Sequence, residues 1–363
     1  MSSKTGEDHM SNVEFWFARP THYWQIDSKI DGSFAFARIY EDVGFDGMLF
    51  FDTQNLSPEV YVSLTAAAKE TTTLGLGTGV TNPMTRHAAV SAATMSTLQE
   101  VSNGRAYLGI GRGDSSLAHL GYAPISIGKF EEYLASLQAY LRGEEVAFPN
   151  DADVDDLHLG DQPDASRIQW LQDAPKVPVG VAATGPRVIS ISARHADRID
   201  FMLGASVERI KWGMDIAKDA RMSAGIEGDQ PVSAYVNMVV HDDSELAWQM
   251  AAIAINSQAR FMAMHGKING PVSDGAREIL NNIHASYNMK QHGAHGNDLI
   301  TSEFAHEFGI YGPPSYCVDR LNELVELGID RFILAGGPDL AMPDPEIAGM
   351  ARRFVTDVLP RVK

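Results

Sequence analysis

At 363 residues the chain exceeds the length at which a single core usually stops growing, yet it fits one barrel of roughly 250 residues that carries insertions. Its 44% hydrophobic and 21% charged content is that of a globular protein. A net charge of -18 without a basic stripe argues against nucleic acid and anionic membrane surfaces as partners.

One cysteine, Cys317, leaves no internal disulfide and disfavours a secreted, stapled protein; it reads as a small apolar residue on a helix face. No run approaches the ~18 apolar residues of a membrane span. The start MSSKTGEDHM lacks the apolar stretch of a signal peptide, which leaves a cytoplasmic protein as the expectation. Residues 1–11 are expected to be a disordered lead-in or an expression remnant, with Met10 a candidate natural start, and 12–363 a single domain.

Strands alternate with helices from the first segment on. Glu14–Arg19 reads as a strand, followed by a helix through Phe34, Ile39, Tyr40 and Val43 with Gly44 at its C-cap. Asp46–Asp52 is apolar on both faces, as a parallel strand under helices should be. Pro58 opens a helix to Lys69, and Leu74–Val80 is the third strand. In the helix Arg86–Val101, residues Val90, Thr94, Leu98 and Val101 form one stripe. Strand Ala106–Ile110 precedes a helix marked by Phe130, Leu134, Leu137 and Leu141. The pattern weakens over 144–175, then resumes with strand Val177–Ala182, helix Pro186–Ala196, strand Ile199–Leu203 and helix Val207–Ala224. Strand Val232–Val240 and helix Ser244–Met264 follow, and 265–305, rich in Gly, Asn and His, breaks the rhythm again. Helix Ser315–Leu327, strand Ile329–Leu334 and a helix from Pro345 to Val358 close the chain. Eight strands, each followed by a helix, predict an α/β fold, a (β/α)8 TIM barrel with insertions at 144–175 and 265–305 over its C-terminal face.

In such a barrel, function lies where the chain leaves each strand's C-terminal end. Those ends are polar and glycine-rich: Arg19-Pro20-Thr21-His22, Asp52-Thr53-Gln54-Asn55, Gly79-Val80-Thr81-Asn82-Pro83, Gly111-Arg112-Gly113-Asp114-Ser115-Ser116, Ala183-Thr184-Gly185-Pro186-Arg187 and Gly204-Ala205-Ser206. Thr184-Gly185-Pro186 opens a helix with free N–H groups, reading either as a phosphate site or as an ordinary βα turn. Gly109-x-Gly111-x-Gly113 lacks the third glycine of a dinucleotide fingerprint, since Asp114 stands there; close backbone approach to a flat ring or phosphate suits it better, with Asp114 or Ser115 bonding a ribityl-like chain. Asp52 ends an apolar strand and reads as an acid/base or ring-edge group, or equally as a helix N-cap. His265, His284, His292, His295 and His306 cluster late in the chain. Without Cys or paired carboxylates beside His292 and His295, no metal site is expected, and the alternatives are a solvated loop or a mobile one bringing a His, with Tyr287, over the mouth. The acidic run 151–156 fails the calcium-loop template and reads as a solvated loop.

The block Leu76-Gly77-Thr78-Gly79-Val80-Thr81-Asn82-Pro83-Met84-Thr85-Arg86-His87, then Gly104-Arg105-Ala106 and Leu108-Gly109-Ile110-Gly111-Arg112-Gly113-Asp114-Ser115, resembles the luciferase-like monooxygenase superfamily. It is most similar to the branch of coenzyme F420-dependent, methylenetetrahydromethanopterin reductase-like enzymes. Phe308-Gly309-Ile310-Tyr311-Gly312-Pro313-Pro314 and Leu327–Phe332 match the same group, so the resemblance covers the chain from residue 12. It implies a cofactor ring resting on a bulge with a non-prolyl cis peptide at Gly79–Val80. Thr81 and Asn82, next in the motif, are expected to bind the cofactor too. By the same resemblance Asp52 and Thr53 lie at the ring's reactive end, Asp114 on the side-chain path, and Ala183, Thr184, Gly185 and Pro186 by the phosphate. Thr53 stands where many deazaflavin-dependent members have His; His22, His87 and His292 are the alternative proton donors.

The resemblance favours hydride transfer between coenzyme F420 and a small organic substrate of the carbonyl or C=N class. An FMN-dependent monooxygenase using reduced flavin and molecular oxygen, served by a separate flavin reductase, is the alternative. A non-catalytic flavin-binding barrel subunit is the third reading. The acidic tail of the deazaflavin favours a basic path, for which Arg86, Arg112 and Arg187 are candidates, and a homodimer is expected.

Overall fold

The computed structural model describes residues 13–23, 29–148, 158, 160, 163–171, 174–264, 267–291 and 297–362. Eight parallel strands close on themselves: β1 (Glu14–Arg19), β2 (Gly47–Phe50), β3 (Gly75–Thr81), β4 (Ala106–Ile110), β5 (Val179–Ala183), β6 (Arg198–Phe201), β7 (Val232–Val240) and β8 (Arg331–Ala335). Each pairs with the next, and β8 returns to β1 with Glu14 opposite Arg331. The helices around them are α1 (Phe36–Asp42), α2 (Val60–Glu70), α3 (Ala88–Val101), α4 (Ile127–Leu141), α5 (Pro186–His195), α6 (Val207–Ser223), α7 (Ser244–Ala263), α8 (Asp274–Ser286), α9 (Ser302–Phe308), α10 (Pro314–Glu326) and α11 (Pro345–Arg353). The expected barrel is therefore present. No helix among the described residues is long and apolar enough to cross a membrane.

Side chains on one strand face pack under the helices, and those on the other fill the barrel. On β1, Phe15 and Phe17 join the large outer core, whereas Trp16 and Ala18 point inward with Leu49, Tyr107, Tyr235, Ile333 and Ala335. Trp16 fits because its neighbours are bare: a Cβ on Gly47 or Gly75 would lie 2.3 or 2.6 Å from its ring. A Cβ on Gly180 would fall 1.6 Å from the Tyr107 hydroxyl, which donates to Asp200 at 2.8 Å.

Four expectations need correction. In α3 the buried positions are Ala88, Ser91, Ala92, Met95, Ser96, Leu98 and Gln99, while Val90 is 52% exposed; of the expected stripe Val90, Thr94, Leu98 and Val101 only Leu98 is buried, because small residues pack this helix closely. Pro58 lies outside α2, whose N-cap is Glu59, accepting from Tyr61 and Val62 N–H. The segment 265–305 is not mainly loop: α8 buries Ala276, Leu280 and Ile283 in a second core with α7 and α9. A short strand, Gly309–Gly312, was not foreseen; it pairs with the far half of β7. Residues 1–11, the acidic run 151–156, His265, His292 and His295 lie outside the described residues. Cys317 is buried and its thiol is pushed up to about 12 by burial, as a structural cysteine should be.

Candidate active site

At the mouth, β3 leaves its regular register with β4 between Thr78 and Thr81, and the Gly79–Val80 peptide is cis, at the place the motif implied. β3 faces Leu49 with glycine: a Cβ on Gly79 would sit 2.6 Å from Leu49 Cβ. The neighbouring strand end is also close, though less so: a Cβ on Gly111 would come within 3.1 Å of Val80. Gly113 has φ +85°, where glycine is favoured, and there the chain turns into a one-turn helix, Ser115–Ala118.

Asp52 is 4% exposed and caps no helix. Its Oδ2 accepts from the Thr81 hydroxyl at 2.6 Å and from Arg86 Nη1 at 2.7 Å. Arg86 also pairs with Glu59 and lies over the Tyr61 ring, 4.5 Å from its centroid. Burial and the Asp52 charge push the Tyr61 phenol well above its usual range. Arg86 is thus committed to the β2–β3 edge, which removes it from the basic path proposed for a cofactor tail. Asn82 is 1% exposed; its Oδ1 accepts from Met84 and Thr85 N–H and its Nδ2 donates to Ser116, so it shapes the bulge from within.

Thr53 is half-buried beside Asp52, and its carbonyl accepts from Leu56 and Ser57 N–H. His22 is half-buried in the segment leaving β1. His87 is exposed and serves as the N-cap of α3, its Nδ1 accepting from Ala89 N–H at 3.2 Å. Its Nδ1 is thereby engaged by the helix, which leaves Nε2 as the nitrogen that carries the proton. Asp114 pairs with Arg260 of α7, and Ser115 accepts from the same guanidinium at 2.9 Å. Sequence reasoning missed Arg260 entirely.

Across the mouth, Ala183 ends β5, and α5 begins with Pro186 after an N-cap, Gly185, that has no side-chain cap. Its first-turn N–H groups therefore have no intrahelical acceptor. A Cβ on Gly185 would meet nothing nearer than Asn269 at 3.7 Å. Arg187 stands on this first turn, and Arg112 leaves β4 nearby, anchored through Nε to the Ile125 carbonyl at 2.7 Å. Burial and the Arg187 charge both lower the Arg112 guanidinium. Two like charges beside a helix N-terminus are an arrangement that favours an anion.

The model of the luciferase-like monooxygenase family matches residues 15–331. The chain belongs to that family. Among its relatives, this luciferase-like protein is 29% identical over 317 residues to a 5,10-methylenetetrahydromethanopterin reductase of Methanolobus tindarius, covering 84% of this chain and 89% of the other. The solved coenzyme F420-dependent tetrahydromethanopterin reductase of Methanopyrus kandleri superposes with a TM-score of 0.73 at 20% identity, over 97% of this chain and all of that one. An F420-dependent secondary alcohol dehydrogenase, solved with an F420–acetone adduct, gives 0.68 at 16% identity over 97% and 99%. These two likenesses establish that the luciferase-like barrel is shared.

Proposed function

We propose that this protein is an oxidoreductase that binds coenzyme F420 at the barrel mouth and transfers a hydride between it and a small carbonyl or imine compound. Membership of the luciferase-like family and the names of the relatives support the class. The observation that carries the choice of cofactor is the Arg112–Arg187 pair beside the uncapped start of α5. FMN ends at one phosphate, whereas the deazaflavin continues into an acidic tail, and the exposed Arg187 marks the way out.

When bound, the deazaflavin supplies the two-electron hydride chemistry. The chain's own part is to hold it. Gly79, Val80 and Thr81 support one ring face, and Gly111 and Gly113 let the backbone approach. N–H groups after Thr184, Gly185 and Pro186 receive the phosphate. Asp52, fixed by Thr81 and Arg86, would present its carboxylate at the ring edge, and His22 would supply the proton to the substrate, which the Thr53 hydroxyl could relay. Titration of the purified protein with F420 and with FMN tests this. F420 is expected to bind, and Arg187→Gln to weaken it by about tenfold, ~1.4 kcal/mol. FMN bound more tightly than F420, with no effect of Arg187→Gln, would replace this reading with the FMN-dependent monooxygenase.

The same reading includes a second copy of the chain against α2 and α3. These helices carry no charged side chain before Lys69 and Glu70 in α2 and Glu100 in α3, yet Val62 and Val90 are 70% and 52% exposed. For a chain of net charge -18, such a face lets two copies meet without repulsion.

A further inference from the structure

Asp114 occupies the N-cap of the helix Ser115–Ala118, where an aspartate ordinarily accepts from the N–H groups of its own first turn. Here its side chain makes no such bond. It is turned toward Arg260 near the end of α7, and the Arg260 Nη2 that pairs with it also donates to Ser115 Oγ, 145 residues away in sequence, at 2.9 Å. Arg260 is 6% exposed, and its guanidinium lies over the Phe261 and Tyr287 rings, 4.2 and 4.7 Å from their centroids. Its Nε, also buried, has no hydrogen-bond partner among the described residues. An arginine buried with one donor unmet gains little stability from a single ion pair. What the arrangement does provide is direction: two side chains leaving β4 are drawn off their own helix and toward the segment leaving β7.

We propose that Arg260 is a positioning residue that holds the Asp114 carboxylate and the Ser115 hydroxyl out from the helix, so that they take hydroxyl groups on the side chain of the bound cofactor. This rests on the reading that the mouth binds a flavin-like cofactor. Without Arg260 the carboxylate has a ready alternative, the free N–H groups of Ser116 and Leu117, and falls back onto them. The ribityl hydroxyls then lose an oriented acceptor. F420 and FMN share that polyol, so both serve as probes.

The test is equilibrium binding of F420 and FMN to wild type, Arg260→Met, Arg260→Lys, Asp114→Asn and the double variant Asp114→Asn/Arg260→Met, with thermal melts alongside. Arg260→Met and Asp114→Asn are each expected to weaken binding of the preferred cofactor by about tenfold. The double variant should be no weaker than either single one, because both changes remove one function. Arg260→Lys, or free guanidinium added to the Met variant, should restore part of the affinity, a recovery that a role in folding alone would not give. Arg260→Lys also reads the coupling if the Met variant does not fold. Unchanged or tighter binding by the Arg260 variants, or losses that multiply in the double variant, would overturn the proposal while leaving the functional reading standing. Wild type binding neither cofactor would overturn both.

Discussion

Removal of the Asp339 carboxylate is the severest single change the rim of the barrel should suffer. Asp339 lies beyond β8 and is 1% exposed. It faces Arg19 of β1 at 3.4 Å, accepts from the Tyr23 and Tyr40 hydroxyls at 2.8 and 2.6 Å, and binds Ala341 N–H at 2.8 Å. The Arg19 guanidinium, itself buried, is packed on Phe36 at 4.0 Å and Tyr23 at 4.7 Å, with Nη1 unpartnered among the described residues. Burial, and then the Asp339 charge, raise both phenols far above their usual range, so they remain donors. In Asp339→Ala the guanidinium is left as an uncompensated buried charge, at about 3–5 kcal/mol. Two phenols losing their acceptor add ~1 kcal/mol each, placing the total near ~6 kcal/mol. With an unfolding entropy of about 2.1 cal/mol/K per residue, that lowers the melting midpoint by roughly 8 °C. Calorimetry or circular dichroism measures it. Arg19→Met/Asp339→Ala should recover most of the loss, since apolar replacement of a buried pair is often neutral. A midpoint shift of Asp339→Ala below about 1 °C, or a double variant no better than the single one, would refute the reasoning.

Two further outcomes are expected. Burial pushes the Glu41 carboxyl up, but the N–H groups of Thr73, Leu74 and Thr72 and the Thr73 hydroxyl outweigh it and hold it at about 2. A folded-state value below the unfolded one stabilises the fold above the unfolded value of 4.5 and stops doing so as pH falls through about 2. Denaturation at stepped pH should therefore find Glu41→Gln less stable than wild type near neutrality, with a gap that closes in acid; a gap independent of pH refutes the assignment. On the α2–α3 face, Val62→Glu/Val90→Glu should convert a dimer to a monomer in sedimentation, and a wild type that already sediments as a monomer refutes the second copy.

Much of the barrel is legible because its signals are local. Glu14–Arg19, Ala106–Ile110 and Val232–Val240 are buried runs bounded by turn residues, and their ends in the structure are those the sequence indicates. The α3 face was misread for a physical reason: in AAVSAATMSTLQEV the largest branched residue early in the helix, Val90, points outward, and alanine and serine do the packing. Hydrophobicity alone ranks such residues the wrong way. Arg105, from the recognisable Gly104-Arg105-Ala106 motif, donates to the Leu74, Ala68, Thr71 and Ser102 carbonyls, so that part of the motif builds the barrel rather than the site.

The site was legible only where one strand end carries its own chemistry. The cis bond at Gly79–Val80 was implied by the family resemblance of its motif, and the uncapped helix start at Gly185-Pro186 is a backbone feature readable within a few residues. The ion pairs are not of that kind. Arg86 had to be placed before it could be seen to neutralise Asp52 rather than a cofactor, and Arg260 reaches Asp114 across 145 residues of chain. Both arginines sit on helical or turn segments whose neighbours in sequence give no hint of a carboxylate. Their partners become visible only when closure of the barrel brings β2 beside β3, and when the segment following β7 meets the segment following β4. The same closure gives Asp52 and Asp114 each an arginine partner. Neither is therefore a lone charge, and the direction of each carboxylate is set by a guanidinium.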